Sequence, residues 1–143
     1  MNYKNLFFSA ILTYFKLCAQ IQLRKIKPKI IGITGSAGKT STLEAVAAIL
    51  ESTKYKVKVS RKANSETGIP LNILGLTPKT FSTLEWLKLI LLCPIQLLTS
   101  WEHYDLYIVE MGIDSPHPPK NMGYLLEIMQ PDIGVLLNAA PTH

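Results

Sequence analysis

Two cysteines in 143 residues are too few for a disulfide scaffold. Cys18 and Cys93 also share no C-x-x-C or Cys/His cluster that would hold zinc. A reduced, cytosolic setting is the default expectation. Long apolar runs are missing too. Leu6–Phe15 is almost all apolar, but its 10 residues are about half of what crosses a bilayer. Lys16 closes that run, no small-x-small cleavage site follows, and no small residues precede Cys18 as they would a lipidated cysteine. Internal repeats and low-complexity tracts are absent, and only 17% of the chain is charged. What is plentiful is apolar: 48% of the residues are hydrophobic, enough for a core and against wholesale disorder. The length suits one domain.

Charge is unevenly spread. Residues 1–62 carry a net +10 and residues 63–143 a net −5. A basic first half fits an anionic surface, a phosphate-rich ligand or simply a solvated face, and charge alone does not choose. Residues 3–23 read as an amphipathic helix with a wide apolar face. Such a helix either packs on the domain or lies on a membrane with Lys16, Arg24, Lys25 and Lys27 toward anionic headgroups; packing is favoured. With its basic linker it forms an N-terminal segment 1–28, ahead of a domain at 29–143. A second apolar stretch, Leu84–Leu98, is interrupted by Lys88 and Pro94 and predicts a helix of about ten residues that breaks at the proline.

After Pro28 short apolar runs alternate with helical periodicity. Ile30–Thr34 is a β-branched run suited to a strand buried on both faces. Leu43, Val46, Ala47 and Leu50 recur at i, i+3, i+4, i+7, the mark of a helix packing one face on a sheet. Further strands are predicted at Tyr55–Ser60, Leu106–Val109 and Ile133–Leu137, with a short helix at 123–129. This pattern predicts an α/β fold, a P-loop-type, mainly parallel sheet with flanking helices. Ligands of such sheets gather at the carboxyl ends of the strands.

The chemical residues fall at those ends. Gly32 to Thr42 reads strand, glycine-bearing loop, Lys-Thr, helix. Gly35, Ser36, Ala37 and Gly38 would turn backbone N–H groups around phosphate oxygens, and the helix N-terminus adds its dipole. Lys39 would reach the outer phosphates of a nucleotide such as ATP, Thr40 and Ser41 would complete the phosphate-binding segment, and the Thr40 hydroxyl would ligate Mg²⁺. The spacing G-x-x-x-x-G-K-[ST] is not met, because Ile33 stands where its first Gly belongs. Glu110 ends the third strand beside the same edge and is a hard oxygen ligand suited to Mg²⁺. Asp114 reads as a turn residue. His143 lies beyond the fourth strand; His103 and His117 carry no discernible partner.

Thr34–Thr42, Asn64–Leu71, Val109–Gly112 and Pro131–His143 together resemble the ordered motifs of the Mur ligase central domain, across residues 29–143. The resemblance implies an ATP-dependent amide ligase. In it a precursor carboxylate attacks the γ-phosphate, and the incoming amine attacks the resulting acyl phosphate. It further implies that Lys39, Glu110 and His143 are catalytic, that Thr40, Glu110 and His143 hold Mg²⁺, and that Asn64 lies near phosphates and substrate. The Asn64–Pro70 stretch favours members that join D-Ala-D-Ala to a UDP-MurNAc-peptide. The expected setting is the cytoplasm, with no nucleic-acid partner, and contact with the inner membrane face through residues 3–23 is the open alternative. The same stretch argues against folylpolyglutamate- or cyanophycin-type synthetases of the same superfamily. Ser115–Lys120 departs from the family's Gly-acid pattern after Glu110. The family's amino-acid-binding domain and later central strands have no counterpart, so the chain is expected to be a fragment that binds nucleotide weakly and forms no amide bond alone. The alternative from another class is a non-catalytic nucleotide-binding module docking through residues 3–23.

Overall fold

The computed structural model describes residues 3–140 except 79, 81 and 101, with residues 3–6 as backbone only. Nine elements follow in order: α1 (Tyr3–Ile26), β1 (Lys29–Thr34), α2 (Lys39–Glu51), β2 (Val57–Val59), α3 (Gly68–Ile73), α4 (Thr83–Thr99), β3 (Leu106–Glu110), α5 (Met122–Ile128) and β4 (Ile133–Leu136). The four strands form one all-parallel sheet in the order β2-β3-β1-β4. Parallel pairing needs crossovers, and each helix-bearing connection supplies one.

Strand side chains alternate between two cores. Ile33 and Ile108 point to the face covered by α2, where they meet Leu43 and Ala47. Tyr107 and Val109 point to the opposite face and pack with Ala19, Leu23 and Ile26 of α1, Ile69 and Ile73 of α3, and Leu125 and Ile128 of α5. The fully buried Tyr107 keeps its hydroxyl satisfied by donating to Asn72 Oδ1 at 2.9 Å. The N-terminal helix therefore packs on the domain. It continues to Ile26, beyond the predicted 23, because Leu23 and Ile26 extend its buried face. The α3 helix has no counterpart in the sequence reading; Ile69, Leu71 and Ile73 are buried along it. At the sheet edge β2 is only three residues long, and β4 leaves Ile133 and Leu136 exposed.

The predicted break at Pro94 does not occur. Proline removes the N–H that would bond the carbonyl four residues back, which here belongs to Ile90. The Tyr14 hydroxyl of α1 donates to Ile90 O at 2.9 Å and takes the place of that missing donor. So α4 runs unbroken for 17 residues with Pro94 inside it. Tyr14 lies within a wider contact between the two helices, where Ile11, Phe15 and Cys18 meet Leu89 and Cys93. Cys18 and Cys93 are both buried free thiols, and burial, with Cys18 adding, pushes Cys93 up to about 12, so it stays protonated and inert. Among the described residues no helix is long and apolar enough to cross a membrane.

Candidate nucleotide site

The register places Ile33 of β1 beside Glu110 of β3, so the two strands end together and their following loops share one edge of the sheet. From β1 the chain enters the loop Gly35–Gly38 and then α2. Gly38 caps that helix with φ +82°, a left-handed conformation that disfavours any other residue.

A segment beyond β4 straps the loop down. Asn138 accepts the Ala37 N–H through its side-chain oxygen at 3.0 Å and the Ser36 N–H through its backbone carbonyl at 3.1 Å. Its side-chain amide donates back to Ala37 O, and the Ala140 N–H donates to Ser36 Oγ at 2.9 Å. Two of the N–H groups expected to line phosphates, those of Ser36 and Ala37, are thus engaged. The N–H groups of Gly38, Lys39, Thr40 and Ser41 have no partner among the described residues. These are the orphan donors of a helix N-terminus, aimed along the positive end of its dipole. Lys39 folds back so that its ammonium donates to Gly35 O at 2.7 Å.

Glu110 is only 8% exposed. Thr40 donates to its Oε2 at 2.7 Å, and the Asn64 side-chain amide donates to its Oε1 at 3.2 Å. No cation forms an ion pair with it among the described residues. Behind it, the Glu110 N–H donates to Ser60 Oγ at 3.0 Å, and Ser60 itself is buried. The Asn64 loop is held in turn by the Gly112 N–H, which donates to Asn64 O at 2.9 Å. A Cβ on Gly112 would stand 3.0 Å from that same oxygen, so the position requires glycine's close approach.

The structure thus brings Lys39, Thr40, Glu110 and Asn64 together. Gly35, Ser36, Ala37, Gly38 and Ser41 complete the loop around them. His143 lies outside the described residues. Asp114 is exposed in the loop after β3, ahead of the turn at 116–120, and its N–H donates to Lys120 O. His103 is exposed beside Asp105, and His117 is exposed in the loop after β3. Two contributors were assigned no role from sequence, Ser60 and Asn138. Asn138 had a visible signal, a polar residue just past a predicted strand end; Ser60 had none.

No group of three His, Cys, Asp or Glu side chains converges among the described residues. The Glu110 carboxylate with Thr40 Oγ at its side is a hard-oxygen donor pair. Mg²⁺ suits such a pair, since it is commonly held by one or two carboxylates together with phosphate oxygens and waters.

The comparisons with known proteins agree with this geometry. The Mur ligase middle domain profile matches residues 33–143. The UDP-N-acetylmuramoyl-tripeptide–D-alanyl-D-alanine ligase of Mycobacterium leprae is 35% identical over 114 residues, covering 80% of this chain and 17% of that protein. The protein of the same name from Bacillus subtilis is 26% identical over 133 residues, covering 92% of this chain and 23% of that one. Among solved structures, MurF from Acinetobacter baumannii superposes with a TM-score of 0.60 at 23% identity, over 93% of this chain and 23% of that one. The chain thus spans about a fifth of the length of the relatives it matches. With the profile covering most of the sequence and the parallel sheet in place, the chain belongs to the Mur ligase middle-domain family.

Proposed function

We propose that this chain supplies the ATP- and Mg²⁺-binding part of an ATP-dependent carbon–nitrogen ligase that joins D-Ala-D-Ala to a UDP-MurNAc-peptide in the cytoplasm. The observation that carries the reading is the buried Glu110 carboxylate, hydrogen-bonded by Thr40 and Asn64 yet without a countercharge. A buried charge left unpaired is costly, so the site is arranged for a cation that arrives with its ligand. Next to it, the unpaired N–H groups of Gly38–Ser41 offer donors to phosphate oxygens. Lys39 lies in the same loop and would offset negative charge developing on a transferred phosphoryl group. Thr40 and Glu110 would hold Mg²⁺, which supplies charge neutralisation of the phosphates when bound; His143 would join them by resemblance. Asn64 orients the Glu110 carboxylate and keeps its oxygens aimed at the loop.

Glu110→Gln tests this reading, because it keeps shape and removes charge. In calorimetric titrations of the variant, affinity for ATP in the presence of Mg²⁺ should fall about 10- to 100-fold, the worth of one charged contact of ~1.5–3 kcal/mol. Affinity measured with chelator should change little. An equal loss with and without Mg²⁺ would overturn the metal assignment.

A second reading concerns where the protein works. The outward face of α4 carries Leu84, Leu87, Leu91, Ile95 and Leu98, each more than half exposed, and Leu17 and Ile21 are half exposed on neighbouring α1. A helix apolar on both faces seeks cover on both. The α1 sequence contains no acidic residue, and Lys88 stands among the exposed α4 leucines. We propose that residues 3–23, together with this face of α4, rest on an anionic membrane surface. The chain should co-sediment with vesicles containing anionic lipid, less with neutral ones, and be released by high salt. Equal binding to both, or none, would overturn this reading.

A further inference from the structure

The phosphate loop does not hold its shape alone. Beyond β4 the chain keeps the register that β4 has with β1. Thr34 pairs with Leu136, the Leu137 N–H donates to Thr34 O at 3.1 Å, and the Ser36 N–H donates to Asn138 O at 3.1 Å. A Cβ on Gly35 would stand 3.1 Å from Leu137 Cβ and 3.2 Å from the Asn138 nitrogen, so loop and strap lie in direct contact. Backbone pairing then stops, and the Asn138 side chain takes over.

Its Oδ1 accepts the Ala37 N–H at 3.0 Å, and its Nδ2 donates to Ala37 O at 3.3 Å. Both polar groups of Ala37 are thereby satisfied by one side chain. A carboxamide carries a donor and an acceptor side by side, whereas a carboxylate offers acceptors alone. Ser36 closes the strap, its Oγ accepting the Ala140 N–H at 2.9 Å and donating to Ala140 O at 3.3 Å.

The loop's donors are divided as a result. Those of Ser36 and Ala37 go to the strap, and those of Gly38, Lys39, Thr40 and Ser41 have no partner among the described residues. An anion at the start of α2 therefore meets the last four. Without its strap a glycine-bearing loop samples many conformations, and gathering those four groups would then be a cost of binding.

We propose that Asn138 is a positioning residue: it withholds the Ser36 and Ala37 N–H groups from the nucleotide and holds the loop so that those of Gly38–Ser41 receive phosphate. The proposal rests on the nucleotide reading above. It adds to that reading which donors meet the phosphate and what keeps them in place. Asn138 acts only through the loop.

The test uses the 143-residue chain, ATP with Mg²⁺, and amide-resolved hydrogen exchange by NMR. In the unaltered chain ATP should shift the Gly38–Ser41 amides, while those of Ser36 and Ala37 keep their protection. Asn138→Ala should speed exchange at Ala37 and lower ATP affinity, each by about tenfold. Its thermal midpoint should change little, because the β1–β4 ladder is untouched. Asn138→Asp keeps the acceptor, so Ala37 should stay protected. It also sets a negative charge beside the loop, so it should bind ATP more weakly than Asn138→Ala at low salt, and high salt should close that gap. Unchanged ATP affinity in Asn138→Ala would overturn the proposal. So would an affinity loss that only follows a lowered midpoint, the mark of a purely structural strap. Release of the Ser36 and Ala37 amides when ATP binds the unaltered chain would also overturn it, and that result needs no variant to fold. Absence of ATP binding by the unaltered chain would remove the nucleotide reading and this proposal with it; binding indifferent to Asn138 would remove this proposal alone.

Discussion

Lys39→Ala should lower ATP affinity by at least about 10- to 100-fold while leaving the fold intact. Lys39 is the only cation between Gly32 and Thr42, so nothing else in the loop can replace its charge. Its ammonium is already drawn over the loop by the 2.7 Å bond to Gly35 O, which limits the rotamer freedom lost on meeting a phosphate. A charge-assisted contact of this kind is worth ~1.5–3 kcal/mol, and a lysine spanning two phosphates forfeits more than one. The helix should not suffer, because Ala is the best helix former and Lys39 makes no ion pair among the described residues. Calorimetric titration with ATP measures the loss, and an unchanged thermal midpoint shows it is not unfolding. Unchanged affinity would remove the loop from the site.

Much of that site is legible in the sequence because it depends on local order. A β-branched strand, two glycines, Lys-Thr and a periodic helix define the loop without any distant contact. The oddity at Ile33 also resolves locally. Its side chain is fully buried under α2 with Leu43 and Ala47, so the position serves packing, and Gly35 and Gly38 provide the turn. Glu110 could be placed because parallel strands deliver their ends to one edge. What surrounds Glu110 could not. Ser60 and Asn64 lie 50 and 46 residues before it, and they meet it because β2 pairs with β3. Asn138 reaches Ala37 across 101 residues, because β4 pairs with the other side of β1. Only the strand order brings these together, and apolar periodicity does not encode strand order.

Pro94 shows the same limit in the fold. Every local rule ends a helix there, and the rule fails because of a hydroxyl on another helix 76 residues away from the carbonyl it serves. The short β2 is a related case. The predicted strand includes Tyr55 and Lys56, but Lys56 gives its N–H to the Asp105 side chain, and only its carbonyl meets the β3 edge, accepting from Asp105 and Leu106. Propensity was right about the segment and silent about its ends.

The strongest effect on stability is expected where α1 meets α4. Phe15 is fully buried, its ring 6.0 Å from that of Trp86 in a stacked arrangement and 5.9 Å from that of Tyr14. Around it lie Ile11, Leu71, Leu74, Leu89 and Cys93, so three helices close on one side chain. Phe15→Ala removes the ring and leaves a cavity that rigid helices cannot fill, at a cost of about 3–5 kcal/mol. Domains of this size hold about 5–15 kcal/mol in total, so the variant should be marginal. A fall of roughly 6–20 °C in thermal midpoint corresponds to that loss. Leu17→Ala on the outward face of the same helix is the control, since Leu17 is 51% exposed and its loss should be within about 1 kcal/mol. Urea unfolding monitored by tryptophan fluorescence, from Trp86 and Trp101, and by circular dichroism would compare the two. Equal small shifts would mean that α1 is an arm laid on the domain. A large shift for Phe15→Ala alone would mean that the N-terminal helix and the nucleotide-binding sheet unfold as one unit. The basic helix and the phosphate loop would then belong to a single cooperative structure, and a membrane-facing α1 would hold the site at a fixed height above the lipid.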